Sequence, residues 1–114
     1  MAVGSRIVKI LIVGSGQVGS SLVEALHSEH ELTVLDLDGE RLREIAYAYD
    51  VKTVEANGAS RSALVDAGLG TTDLFIACTS RDEVNLVACS FARADNPRAT
   101  TVIRTSNAEY VDLW

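Results

Sequence analysis

Five apolar runs alternate with amphipathic stretches, and three glycines spaced G-x-G-x-x-G follow the first run; together they predict an α/β fold. The alternation implies a parallel sheet with right-handed crossovers and helices on both faces, a doubly wound arrangement. The length agrees, since 114 residues suffice for one compact domain and not for two. No repeat, low-complexity stretch or internal linker interrupts the pattern.

Met1 to Arg6 reads as a short flexible lead, 7–106 as the domain, and 107–114 as the start of a further helix. Ile7 to Val13 is almost wholly β-branched or Leu, which suits a strand buried on both faces. After the glycines, Val18, Leu22, Ala25 and Leu26 recur at helical spacing. Glu31 to Asp36 is the second strand. Asp38 then caps a helix whose stripe is Leu42, Ile45, Ala46 and Tyr49. Val51 to Glu55 is a short third strand, and Asn57-Gly58 marks a loop. Ser60 caps a short helix through Leu64 and Val65 that stops at Gly68, a residue type favoured just beyond a helix end. Leu74 to Cys78 is the fourth strand. Ser80 to Glu83 has the S-x-x-E spacing of a capping box, opening a helix with Val84, Val87, Ala88 and Phe91 on one face. Asn96-Pro97 breaks that helix, and Thr100 to Arg104 is the fifth strand. The apolar tail Tyr110 to Trp114 either packs on the core or meets a partner.

Composition excludes several classes. The net charge of −6 disfavours nucleic-acid binding and contact with an anionic membrane. No apolar stretch has the length of a membrane span, so direct insertion is not expected and the reading is cytoplasmic. Cys78 and Cys89 lack metal or redox spacing and read as reduced, apolar filler.

The glycine loop carries the strongest functional signal. Gly14 permits the tight turn out of the strand, Gly16 lets a pyrophosphate approach the backbone, and Gly19 lets helix and strand pack closely. Free N–H groups at the start of the helix, around Ser15, Gln17 and Val18, would face the phosphates. Asp36 lies 22 positions after Gly14, where an acid accepts both ribose hydroxyls of an adenosine and repels a 2′-phosphate. No Arg follows immediately to accommodate such a phosphate. The alternative is that Asp36 is a solvated turn residue, with Asp38 simply a cap. Ligands of such sheets bind at the carboxyl ends of the strands, which adds Leu37, the loop Asn57, Gly58 and Ala59, then Thr79, Ser80 and Arg104. Thr79 and Ser80 can also serve as caps, and Arg104 as a surface ion-pair partner. His27 and His30 fall at the far end of the first helix. No nucleophile–base pair and no metal-ligand cluster is visible, which argues against an enzyme.

Several segments resemble the N-terminal half of the regulator-of-conductance domain, in particular that of the Trk potassium-uptake protein A family. They are residues 13–19, 34–42, 56–60, 64–69 and 79–89. The combination of A-G-L-x-x-T-D (67–73) with D-E-V-N (82–85) is far more specific than the glycines alone, and the resemblance spans residues 7–112. It implies a cytosolic homo-oligomer of nucleotide-binding domains, peripheral to the inner membrane face and docked on a potassium channel or transporter. NAD, NADH, ATP or ADP would gate that partner. It further implies that Gly14, Gly16 and Gly19 meet the phosphates, Asp36 the ribose, and that Thr79 and Arg104 belong to the site. Many relatives carry Gly-Asp-Ala where this chain has Asn57-Gly58-Ala59, so the loop lacks that carboxylate. Relatives of this kind continue into a sixth strand and a further lobe, which makes the chain read as a fragment of a longer regulator.

The reading is a Rossmann-like sheet of strand order 3-2-1-4-5 that binds NAD or NADH, or ATP or ADP, and regulates without catalysing. Two alternatives remain open. One is the cofactor half of an NAD-dependent dehydrogenase. The other is an S-adenosylmethionine methyltransferase, disfavoured by the intact third glycine and the D-E-V-N segment.

Overall fold

Strands β1 (Lys9–Val13), β2 (Glu31–Asp36), β3 (Lys52–Glu55), β4 (Leu74–Ala77) and β5 (Thr100–Ile103) form one parallel sheet in the order β3-β2-β1-β4-β5. The chain reverses its direction of winding between β3 and β4, as the alternation predicts for a Rossmann-like fold. The structure is a computed structural model that describes residues 6–113. The expected lead therefore lies outside the described residues except for Arg6, and so does Trp114.

Register explains why the first strand is shorter than its apolar run. Pairing with β2 begins at Lys9, opposite Glu31. The Val8 N–H instead donates to the His30 imidazole at Nδ1 (3.1 Å), and Ile7 is 76% exposed. The third strand likewise begins at Lys52, one residue later than expected. The fourth and fifth strands end at Ala77 and Ile103, one residue earlier.

Helices α1 (Gln17–Leu26) and α2 (Gly39–Ala48) cover one face of the sheet, where Ile10, Ile12, Leu32, Val34 and Ile76 meet Val23, Leu42 and Ile45. Helices α3 (Arg61–Asp66) and α4 (Asp82–Asp95) cover the other, where Leu11, Val13, Leu35, Phe75 and Ala77 meet Leu64, Ala88 and Ala92. The alternation along β1 and β2 sends successive side chains into opposite layers. Phe75 is fully buried, so truncating it to Ala costs about 3–5 kcal/mol.

The stripe expected for α1 is rotated. Gly19 and Val23 are the buried positions, Leu22 and Leu26 flank them, and Val18 and Ala25 are exposed. Close packing at Gly19 sets this rotation, because the helix approaches β1 through the residue that has no side chain. In α2, Leu42 and Ile45 are buried and Tyr49 packs behind them, but Ala46 is exposed. In α4 the buried face is Asp82, Asn85, Ala88, Cys89 and Ala92, with Val84 and Phe91 half-buried and Val87 exposed.

Two expected caps form. The Asp38 carboxylate accepts the Arg41 N–H (3.1 Å), and the Ser60 hydroxyl accepts the Ala63 N–H (3.3 Å). Val65, expected beside Leu64, is exposed. Gly68, at φ +100°, closes α3 in the left-handed region. The capping box at Ser80 does not form. The α4 N-cap is Arg81, which makes no side-chain cap, and Thr79 Oγ1 accepts the Arg81 N–H instead (3.2 Å). The helix ends at Asn96, whose side-chain amide donates to the carbonyls of Leu69 and Thr72, each at 2.8 Å. The tail forms a 3-10 helix over Ala108–Leu113 with no buried residue. Its Val111 and Leu113 stay exposed, so the alternative of packing on the core does not hold for them.

Candidate functional site

The carboxyl ends of all five strands surround a cleft of about 660 Å³, within the size range of small-molecule sites. The sheet ladder continues into its rim. Gly14 N–H donates to the Leu35 carbonyl (2.8 Å), Cys78 N–H to Val13 (2.8 Å), and Arg104 N–H to Ala77 (2.9 Å). These bonds continue the backbone pairing of the sheet into the loops at the floor of the cleft.

From the glycine loop, Gly14, Gly16, Gln17 and Val18 line the cleft. Gly14 has φ +119°, and a Cβ there would meet the Cys78 carbonyl carbon and the Thr79 nitrogen at 2.9 Å, so no other residue fits. Gly19 does not face the cleft. It is buried against the Gly14 carbonyl, which a Cβ would strike, and it acts through helix packing. Helix α1 begins at Gly16 with no side-chain cap and no acid in its first turn, leaving its first N–H groups without a protein side-chain acceptor.

Ser15 also lies behind the cleft surface. Its N–H and hydroxyl both donate to Asp36 Oδ2, at 2.6 and 2.8 Å. Asp36 Oδ1 accepts the Asp38 N–H (2.9 Å). Burial pushes the Asp36 carboxyl up, but the donors Asp38 and Ser15 and the charge of Arg41 outweigh it and hold the group below the usual carboxylate range. Asp36 is therefore an oriented anion at the rim, not a freely solvated turn residue.

Leu37 lines the cleft beside Asp36, as do Asn57, Gly58 and Ala59 after β3. Asn57 Oδ1 accepts the Ala59 N–H (2.9 Å), which folds that loop on itself. Thr79, Ser80 and Arg104 complete the opposite wall. Arg104 makes no carboxylate ion pair among the described residues; its Nη1 donates to the Thr79 carbonyl (3.2 Å). The His27 ring packs tilted against Tyr49, with centroids 4.6 Å apart, and His30 accepts from Val8, both away from the cleft.

Two cleft cations escape sequence reasoning. Arg41 lies across Gly16, its Nη1 3.6 Å from where a Cβ would stand, while its Nε pairs with Asp38 (3.3 Å). Arg81 lines the wall formed by the start of α4. The signal for Arg41 was its place in the first turn of a helix that begins at the cleft rim. With Arg104, three guanidiniums face one carboxylate, Asp36, in a chain whose net charge is −6. A lining with more cations than anions is electrostatically suited to an anionic ligand.

Cys78 and Cys89 are buried thiols. Burial pushes Cys78 up to about 11 and Cys89 up to about 12, so neither is a thiolate nucleophile at neutral pH. Among the described residues, no group of three or more His, Cys, Asp or Glu side chains comes together to hold a metal ion. No helix among them is long and apolar enough to cross a membrane.

The family model described as the TrkA-N domain matches residues 10–114. The chain is 39% identical over 104 residues to the Trk system potassium uptake protein TrkA of Halomonas elongata, an alignment covering 90% of this chain and 23% of that protein. It thus spans about a quarter of the length of this relative. Among solved structures, the TrkA-N domain of the inner membrane protein ybaL from Escherichia coli has a TM-score of 0.80 at 28% identity, covering 94% of this chain and 79% of that one. The Shewanella denitrificans Kef CTD in AMP-bound form has a TM-score of 0.79 at 19% identity, covering 92% and 66%, a likeness of fold alone.

Proposed function

The chain belongs to the TrkA-N domain family, and from that premise we propose that it is a regulatory nucleotide-binding domain of a potassium transport system. The observation that carries the reading is the charge of the cleft. Arg41, Arg81 and Arg104 line the same cleft as the uncapped start of α1, and Asp36 lines it beside the glycine loop, bonded to Ser15. This donor set fits a nucleotide with a pyrophosphate or polyphosphate: N–H groups and guanidiniums take the phosphates, and the Asp36 carboxylate takes the ribose hydroxyls. NAD or NADH, or ATP or ADP, meets these requirements. The Asp36 anion disfavours a 2′-phosphate, and Gly58 with Ala59 supplies backbone against the adenine side.

The role is regulation and not catalysis. A bound nucleotide acts by favouring one arrangement of an assembly over another, and only the difference in its affinity for the two can do work on a partner. That partner is a membrane potassium transporter or channel subunit, served from the cytoplasmic side by a homo-oligomer of the whole protein. The name of the Halomonas elongata relative, a potassium uptake protein, supports the link to potassium transport.

Calorimetric titration of NAD, NADH, ATP, ADP and S-adenosylmethionine tests the site, with Asp36→Ala as control. Nucleotide binding that falls at least about tenfold in Asp36→Ala is the expected result. Failure of the folded chain to bind any of the four nucleotides, or preference for S-adenosylmethionine, overturns the reading.

A further inference from the structure

In the D-E-V-N segment Val84 lines the cleft, whereas Asp82 and Asn85 do not, yet these two hold both sides of Arg104. Asn85 is fully buried and uses all of its hydrogen-bonding capacity. Its Oδ1 accepts the Thr79 N–H (2.9 Å) and hydroxyl (2.7 Å). Its Nδ2 donates to the carbonyls of Thr79 (3.0 Å) and Arg104 (2.9 Å). One turn earlier on the same helix face, Asp82 grips the chain that leaves Arg104. Its carboxylate accepts the N–H groups of Ser106 (3.0 Å) and Asn107 (2.9 Å) and the hydroxyl of Thr105 (3.2 Å). The Ser106 hydroxyl lies within reach of both oxygens.

We propose that Asn85 and Asp82 are positioning residues that fix Arg104 in the cleft and couple its engagement of a ligand to residues 105–113. The inference rests on reading the cleft as a nucleotide site. Arg104 is bracketed: its carbonyl is held by Asn85, its guanidinium meets the Thr79 carbonyl, and the next three residues are held by Asp82. Loosening the Asp82 latch releases the backbone on which the guanidinium stands. A ligand that needs Arg104 in place must therefore oppose that opening, and the segment Ala108–Leu113 follows directly from the latched residues.

Native-state hydrogen exchange on the 114-residue chain reads this coupling at the Ser106 and Asn107 amides, both bonded to Asp82. The Val8 amide, bonded to His30 at the amino end of the sheet, is the control. NADH and ATP are the probes, each at about 100 times its Kd. If opening of the latch is incompatible with binding, exchange at Ser106 and Asn107 slows by about 100-fold, and Val8 is unaffected. A double-mutant cycle is the second readout. Asp82→Asn keeps the size but can accept through one oxygen only; it should weaken binding about tenfold, and add no further loss on an Arg104→Ala background.

Binding without slowing at Ser106 and Asn107, or slowing equal to that at Val8, overturns the coupling and leaves the nucleotide reading intact. Additive losses in the cycle overturn the action through Arg104. If the folded chain binds neither probe, the nucleotide reading falls and the coupling falls with it.

Discussion

Ser15 and Asp36, 21 positions apart, form a two-point contact: the serine N–H and hydroxyl both donate to one carboxylate oxygen, Oδ2. The contact joins the glycine loop to the end of β2. It leaves Oδ1 with a single protein donor, the Asp38 N–H. A carboxylate oxygen accepts two hydrogen bonds, so Oδ1 keeps capacity for a ribose hydroxyl. Ser15→Ala should therefore cost about 1–3 kcal/mol of stability and leave nucleotide affinity within about threefold. Asp36→Ala should abolish most of the affinity, and NAD should bind the wild type at least about tenfold more tightly than NADP. Thermal melts and titrations separate the two effects.

The three loop glycines should fail differently. Gly14→Ala forces a Cβ into the left-handed region and onto the backbone of Cys78 and Thr79, a loss of about 1–3 kcal/mol or more. Gly19→Ala would ordinarily stabilise a helix, but here the methyl strikes the Gly14 carbonyl, so it should cost about 1–3 kcal/mol. Gly16→Ala meets only the end of Arg41 and should fold normally, with weakened nucleotide binding. Denaturant titrations and ligand titrations on the three variants check this order. Equal stability losses at all three positions would contradict it.

Acid should destabilise the chain through three aspartates. Hydrogen bonds and charge hold Asp36, Asp82 and Asp95 below the usual carboxylate range. The causes are the donors around Asp36, the Ser106 and Asn107 N–H groups at Asp82, and the Arg61 guanidinium at Asp95. Each group binds protons less readily folded than unfolded. The stability it contributes is thus complete above the ordinary carboxylate pKa and is lost as pH falls through the folded value. Asp82→Asn should flatten the acid limb of a plot of Tm against pH. An unchanged limb would show that the latch is not linked to folding.

Both thiols should be silent in the folded state. Cys78 and Cys89 are buried and pushed up to about 11 and about 12. Alkylation at pH 8, followed by mass spectrometry, should label neither in native protein and both in denaturant. Rapid labelling of native Cys78, which borders the cleft, would mean that the floor opens.

The sequence alone determined what depends on neighbours within a helical turn or along a strand. Apolar runs marked every strand, Asp38 and Ser60 marked their helix starts, Gly68 and Asn96 marked ends, and the glycine loop with Asp36 pointed to the cleft. Tertiary structure decided the rest. Rotation of α1 to bury Gly19 and Val23 rather than Val18 and Ala25 depends on contact with β1, which periodicity does not encode. The Ser80 box gave way to Thr79 because Asn85 anchors Thr79 to the end of β5. Arg41, Arg81 and Arg104 line one cleft only because parallel crossovers return each strand to the same end of the sheet. Ser15 meets Asp36, and Asp82 meets Ser106, across more than 20 residues. Local propensity acts over about four residues, and such pairings become favourable only once the sheet has formed and fixed the distances between its loops.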